Sequence, residues 1–125
     1  MNEKKLNELK NKYQPKEKLV IARVVRKTIR YIEKNIDNFP NNFIVLKGRI
    51  IGCCYDILES VYRANVFQDI DDKKEIVVKI QMLNFYLEEA YNKGLISRKK
   101  LISYTNHLIE IDVMVRSWFK YEKNG

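Results

Sequence analysis

Apolar residues recur at steps of three and four along most of this chain of 125 residues, and this spacing constrains its fold more than any other feature. Each such stripe is typical of one face of an α-helix. Only two Pro and four Gly interrupt the chain, which favours long helices with short connections. The four predicted helices run from about Lys16 to Asp37, Phe43 to Val66, Asp71 to Asn92 and Arg98 to Lys120.

The stripes also predict the hydrophobic core. Four helices of similar length, each with one apolar face and short links, are typical of an antiparallel up-down four-helix bundle. We therefore predict an all-α fold over residues 16–120, in which helices adjacent in sequence are adjacent in space. The predicted core positions are Ala22, Val25, Ile29, Ile32 and Ile36 in the first helix, Ile50, Cys54, Ile57 and Val61 in the second, Ile76, Ile80, Leu83, Leu87 and Ala90 in the third, and Leu101, Tyr104, Leu108, Ile111, Val115 and Trp118 in the fourth.

Polar residues and one glycine mark the ends of the third and fourth predicted helices. Asp69, Asp71 and Asp72 lie where the third helix begins, and the helix dipole favours acids there. Gly94 predicts the end of that helix, because glycine adopts the left-handed conformation that often follows a last turn. Ser97 is the predicted N-cap of the fourth helix.

Gly48 and Gly52 lie four residues apart inside the second predicted helix. Each costs about 1 kcal/mol of helix stability relative to alanine. We expect the close approach of a neighbouring backbone to compensate for this cost, with a kink in the helix as the alternative.

The two ends of the chain lie outside the predicted bundle. Residues 1–15 are expected to form a basic N-terminal arm, either a loose helix or disordered, and residues 121–125 a frayed tail. The start lacks the apolar segment of a secretory signal, and no run of about 18 apolar residues encodes a membrane span. A bridge between the adjacent Cys53 and Cys54 would be strained, so we expect reduced thiols and a cytoplasmic protein.

The sequence lacks the residue patterns of common enzymes and cofactor sites. His107 is the only histidine, and nothing near it supplies a nucleophile or an oxyanion site. No Glu-x-x-His pair predicts a di-metal centre, and no glycine-rich motif predicts a phosphate-binding loop. We therefore expect a protein that is not an enzyme and that uses no metal and no cofactor.

Positive charge is concentrated at the start of the chain. Residues 1–34 contain eleven Lys and Arg against four acids, so they carry +7 of the net charge of +8. Charge this localised favours a polyanion, and nucleic acid is the first candidate. The predicted nucleic-acid-binding residues share the face of the first helix opposite its apolar stripe, and they are Arg23, Arg26, Lys27, Arg30 and Lys34.

Two other interpretations of this basic face remain open. It can be a solvated helix face without a ligand, or it can dock an acidic protein partner. The solvated interpretation is weakened because Glu33 is the only acid within the span of the face, so five like charges repel one another. Salt-dependent RNA binding would separate the nucleic-acid hypothesis from the protein-docking hypothesis.

Several tyrosines lie off the core stripes. Such a side chain can pack against another subunit, stack on a base or cover an incomplete core. Because tyrosine is enriched in protein interfaces, subunit packing is favoured and we expect a homo-oligomer. The tyrosines in question are Tyr31, Tyr55, Tyr62, Tyr86 and Tyr91.

Short motifs between residues 39 and 120 resemble a known family, and their order and spacing carry the resemblance. They are similar to those of the accessory variability determinants, small four-helix-bundle proteins of diversity-generating retroelements. The related proteins of ribosomal RNA intervening sequences typically have a Ser-Asn-Ile-Ala-Glu-Gly-like segment, which this chain lacks. The resembling motifs are Phe39-Pro40, Leu46-x-x-Arg49-Ile50, Ile57-Leu58-Glu59, Ala64-Asn65, Ala90-Tyr91, Gly94-Leu95-Ile96-Ser97 and Arg116-Ser117-Trp118-Phe119-Lys120.

The resemblance implies a specific role. Members of this family are basic, non-enzymatic bundles that assemble into a homopentameric barrel. They bind a retroelement reverse transcriptase and its template RNA, and they support mutagenic cDNA synthesis. The resemblance therefore implies a reverse transcriptase and nucleic acid, either RNA or DNA, as partners. It assigns no binding residues, because the matching motifs are mainly packing motifs.

Overall fold

The structure, a computed structural model, describes residues 2–13 and 19–124, with the surroundings of side chains described for residues 2–9 and 19–119. These residues are helical with no strand, so the all-α prediction is confirmed. A short 3-10 helix at Asn41–Phe43 links the helix that ends at Ile36 to the helix that begins at Ile44. The α-helices are α1 (Glu3–Tyr13), α2 (Val20–Ile36), α3 (Ile44–Phe67), α4 (Ile70–Asn92) and α5 (Arg98–Asn124).

Helices α2 to α5 form a helical bundle in which each helix packs against two others. Helix α3 contacts α2 and α4, and α5 closes the ring by contacting α4 and α2. Along α3 and α4, Arg63 pairs with Asp72 at 3.6 Å. Earlier in α3, the Cys53 thiol donates to the Lys79 carbonyl at 3.2 Å. The partner number in α4 rises as the number in α3 falls, so these helices are antiparallel.

Cross-helix contacts show the same reversal between the other sequential neighbours. The pairs are Asp37–Lys47 and Glu33–Tyr55 between α2 and α3, and Lys73–Trp118 and Asn84–Thr105 between α4 and α5. The links between α3 and α4 and between α4 and α5, residues 68–69 and 93–97, are short. Short links and antiparallel neighbours are the geometry expected of such bundles.

The core of the bundle is built from the predicted apolar stripes. Every predicted core position is buried except Leu101 and Trp118, which are partly buried. The structure adds buried residues that lie beside the stripes or in the links. They are Ile21, Thr28, Phe39, Cys53, Ser60, Ala64, Lys73 and Ile96.

Buried Lys73 is the main departure from the expected core. It lies one turn before Ile76 on the apolar side of α4, and its side chain is fully buried. Its ammonium nitrogen is 4.3 Å from the ring centroid of Trp118 and 5.9 Å from that of Phe119, within the range of cation–π attraction. The end of α5 therefore covers a lysine rather than an aliphatic side chain.

The predicted caps at both ends of α4 and at the start of α5 agree with the structure. Asp69 is the N-cap of α4, where its carboxylate accepts a bond from the Asp71 amide at 2.9 Å. Gly94 has a φ of 76°, the left-handed conformation expected after the last turn. The Ser97 hydroxyl accepts a bond from the Lys100 amide at 3.1 Å and so caps α5.

The limits of the first and last helices differ from the predicted ones. Helix α2 begins at Val20 because Leu19 is extended, whereas the predicted start at Lys16 lies outside the described residues. Within the predicted N-terminal arm, α1 is helical and does not pack against the bundle as far as the chain is described. Helix α5 continues past its predicted end at Lys120 to Asn124, through residues that were predicted to form a frayed tail. Gly125 and the side chains of residues 120–124 lie outside the described part of the chain.

The two glycines of α3 are not sites of close backbone approach within this chain, so that prediction is wrong. A Cβ atom added at Gly48 or Gly52 would meet no neighbouring atom within 4 Å. Both glycines are exposed, and α3 continues through them as a helix. Their side of α3 faces away from the bundle core.

Candidate nucleic-acid interface

The basic face of α2, defined as Arg23, Arg26, Lys27, Arg30 and Lys34, lies on the outside of the bundle. The period of 3.6 residues turns Val25, Ile29 and Ile32 into the core and leaves the intervening cations outward. Four of the five side chains are exposed, and Arg26 is partly buried. The structure therefore brings all five predicted residues to one surface.

Most of the basic face lines a single open groove. Residues four apart on a helix have Cβ atoms about 5–6 Å from each other, so each cation has another as its neighbour. The groove has a volume of about 550 Å³, and Lys34 lies outside its lining, further along the helix. Its lining residues are Val20, Arg23, Val24, Arg26, Lys27 and Arg30.

The single acid of α2 is engaged elsewhere. The Tyr55 hydroxyl of α3 donates to the two carboxylate oxygens of Glu33, at 3.0 and 3.2 Å. This bond to a carboxylate raises the pKa of Tyr55 above its ordinary value. Within the described residues, no ion pair involves Arg23, Lys27, Arg30 or Lys34. The charges of Arg23, Lys27, Arg30 and Lys34 can therefore attract an external anion.

Two aromatic side chains flank the basic face, Tyr31 of α2 and His107 of α5, and the sequence did not predict that they lie together. Tyr31 lies one turn from Lys27 and from Lys34, and its ring centroid is 5.1 Å from that of His107 in α5. The Tyr31 hydroxyl and the Ser103 hydroxyl are 3.0 Å apart and share a hydrogen bond. The sequence spacing of Tyr31 from the cations could have indicated this position, whereas that of His107 depends on how α5 packs against α2.

The cysteines do not form a reactive site. Both thiols are buried and free, and burial raises the pKa of Cys53 to about 11 and that of Cys54 to about 12. A thiol must lose its proton to act as a nucleophile or metal ligand, so these two are poor at both. Across the described residues, no group of three or more His, Cys, Asp or Glu could hold a metal ion.

None of the helices in the described part of the chain has the length and apolar character needed to cross a membrane. Searches against protein-family models, curated proteins and solved structures find no match for this chain. The resemblance to accessory variability determinants therefore rests on the sequence motifs given above.

Proposed function

We propose that this chain is a non-enzymatic accessory protein that binds nucleic acid through the basic face of α2. The main observation behind this proposal is that exposed cations occupy one face of α2, while Glu33, the only acid of that helix, accepts a hydrogen bond from Tyr55 of α3. At a rise of about 1.5 Å per residue, the face from Arg23 to Lys34 extends about 16 Å, enough for several phosphates of one strand. Arginine can hold a phosphate with two parallel hydrogen bonds, and three of the five residues are arginine.

The biological setting that we propose comes from the family resemblance. In that setting the bound nucleic acid is the template RNA or its cDNA, and the protein partner is the reverse transcriptase of a diversity-generating retroelement. The protein would act in the cytoplasm and support mutagenic cDNA synthesis without performing chemistry itself. An all-helical bundle with an outward basic face is compatible with this role.

We also propose that the chain assembles with copies of itself. Three bundle helices expose large apolar side chains, whereas the outer face of α2 is basic, and extensive exposed apolar surface is typical of an interaction site. Five subunits is the number that the resemblance implies. The large exposed apolar and aromatic residues of these three helices are Ile44, Val45, Tyr55, Val66 and Phe67 on α3, Ile70, Val78, Met82, Phe85 and Tyr91 on α4, and Ile102, Ile109 and Val113 on α5.

Binding to RNA as a function of salt tests the proposed site. We expect the combined change of Arg23, Arg26, Lys27 and Arg30 to Gln to weaken binding and to flatten its salt dependence. Each phosphate that the variant no longer neutralises should lower the slope of log K against log salt by roughly 0.7–0.9. Fluorescence anisotropy of a labelled RNA between low and moderate salt measures this slope, and circular dichroism checks that the fold is retained.

A control variant distinguishes the effect of the α2 site from the effect of lowering the net charge of the protein. Arg49, Lys74, Arg98 and Lys99 are exposed on other helices, and changing these four to Gln removes the same charge. This control should keep most of the wild-type slope. A slope equally reduced in both variants, or unchanged in the first, would contradict the assignment to α2. Absence of RNA binding by the wild-type protein, with α2-dependent capture of an acidic protein, would support the protein-docking alternative.

A further inference from the structure

A second groove adjoins the basic face, between α2 and α5. It has a volume of about 390 Å³, within the range of sites that hold small organic groups. Val24 and Lys27 line this groove and also the groove of the basic face, so the two grooves are adjacent. The residues that line it are Val24, Lys27, Thr28, Tyr31, His107 and Glu110.

The side chains of the α2–α5 groove differ in chemistry from those of the basic face. Tyr31 and His107 contribute two aromatic rings that contact each other edge to face, with 5.1 Å between their centroids and 65° between their planes. Glu110, which is exposed, contributes a carboxylate acceptor, and Lys27 contributes a donor. A carboxylate repels phosphate, so this groove suits a different part of a nucleic acid from the backbone.

A nucleobase matches this set of groups. It has an aromatic face that stacks on Tyr or His, and it has an edge whose N–H groups donate to a carboxylate. In a duplex both features are occupied by stacking and pairing, so only an unpaired base can use such a groove. The positive charge of Arg23, Lys27 and Arg30 beside the groove would hold the phosphates of the same strand.

We propose that the α2–α5 groove binds an unpaired base, so that this protein prefers single-stranded nucleic acid to duplex. The inference rests on the proposed function, because the basic face supplies the attachment of the backbone. Stacking on aromatic side chains and the bond to Glu110 then add a contribution that depends on the bases and not on the salt concentration.

The test compares a single-stranded oligonucleotide with an abasic strand that has the same number of phosphates. We expect the wild-type protein to bind the base-containing strand roughly 5- to 150-fold more tightly, the usual effect of a base stacked on an aromatic side chain. His107→Ala and Glu110→Ala should each reduce this ratio towards one. Asn106→Ala, an exposed neighbour on the same helix that does not line the groove, should leave the ratio unchanged.

Glu110→Ala is the decisive variant because its two possible effects have opposite signs. Removing an acid beside a polyanion strengthens binding by electrostatics, whereas removing a base contact weakens binding to the base-containing strand. We expect weaker binding to that strand and no loss of affinity for the abasic strand. Equal strengthening for both strands, or a wild-type ratio near one, would overturn the proposal.

A measurement on the wild-type protein makes the test independent of whether variants fold. A strand with one 2-aminopurine should lose fluorescence on binding, because stacking on Tyr31 or His107 quenches it. Unchanged fluorescence at saturation would also overturn the proposal that the groove binds a base. Suppose that the combined Gln variant of α2 loses binding to both strands, and that the wild-type protein binds the base-containing and abasic strands equally well. The proposed function would then stand, and only the base-binding groove would be rejected. Failure of the wild-type protein to bind either strand would reject the proposed function itself.

Discussion

Tyr104 in the centre of the bundle illustrates how a single atom can be poorly accommodated in an otherwise apolar core. Its side chain is fully buried, and its hydroxyl has no hydrogen-bond partner among the described residues. Burial, together with the nearby Tyr31, raises its pKa to about 12 from 10.0. A buried hydroxyl that gives up its bonds to water without replacement lowers stability.

We therefore predict that Tyr104→Phe stabilises the protein. Removing the unbonded hydroxyl while keeping the ring should raise the free energy of unfolding by about 1 kcal/mol. Urea denaturation at neutral pH measures this change. Tyr31→Phe is the matched control, because it removes a hydroxyl that is bonded to Ser103, and it should be destabilising or neutral.

The pH dependence provides a second check on the same residue. Because the folded-state pKa lies above the unfolded value, the unfolded chain loses the Tyr104 proton first, and stability falls as pH rises from about 10 to about 12. Tyr104→Phe should remove this part of the fall. A variant less stable than wild type at neutral pH would show that the hydroxyl has a partner.

Residue type explains which core positions the sequence could and could not indicate. The stripe of α4 continues backward from Ile76 to position 73, but position 73 is a lysine, a residue type that is rarely buried. Its burial depends on Trp118 and Phe119 at the far end of the chain, and no local pattern in α4 contains that information. Periodicity is a local property, whereas the partner of a buried charge is set by tertiary packing.

At the scale of the element, α3 is a continuous helix despite its two internal glycines. Both are exposed and have open space where a Cβ atom would lie. The sequence correctly predicted a helix across them, but it could not indicate whether a neighbouring backbone occupied that space. The answer depends on which face of α3 meets α2 and α4, and the glycines lie on the opposite side.

We predict that Gly48→Ala and Gly52→Ala each stabilise the isolated subunit, by about 1 kcal/mol, because alanine is the better helix former and meets no obstacle. Thermal denaturation of dilute protein measures the effect. Gly94→Ala is the contrasting variant, since a φ of 76° costs a residue with a Cβ atom about 1–2 kcal/mol. A loss of stability at this dilution would contradict the prediction, whereas a loss seen only at concentrations that favour assembly would indicate that another chain packs on these glycines.

The basic face of α2 could be predicted from the sequence, unlike the surroundings of the two glycines in α3. Its five cations and its apolar stripe follow from one helical period, so the sequence could predict that they share an outward surface. The α2–α5 groove could not be predicted in this way, because Lys27 and Glu110 meet only after the first and last bundle helices pack together. Helix faces are encoded locally, whereas grooves between helices are not.

At the scale of the whole molecule, the distribution of exposed residues predicts self-association. Val45 is 73% exposed and Val78 and Val113 are each more than half exposed, on three different helices. We expect light scattering at micromolar concentration to give a mass several times the 15.0 kDa of one chain, with five chains as the expected number. A mass of one chain would contradict the prediction.

Single charged substitutions can locate the contact. Val45→Glu, Val78→Glu and Val113→Glu place a charge on α3, α4 and α5 in turn, and none of these side chains is part of the buried core. At least one should dissociate the assembly while circular dichroism remains helical, because an unpaired charge at an interface is costly. A wild-type mass for all three would place the contact elsewhere.

The separation of the basic face of α2 from the apolar side chains exposed on α3, α4 and α5 has a consequence for avidity. An assembly held together through α3, α4 or α5 repeats the α2 surface once in every subunit, so a strand that leaves one copy finds the next at high effective concentration. Modest attraction at each copy then adds up to long residence on a long strand, while a short fragment dissociates quickly. Strand length, rather than base sequence, would therefore be the main quantity to which such an assembly responds.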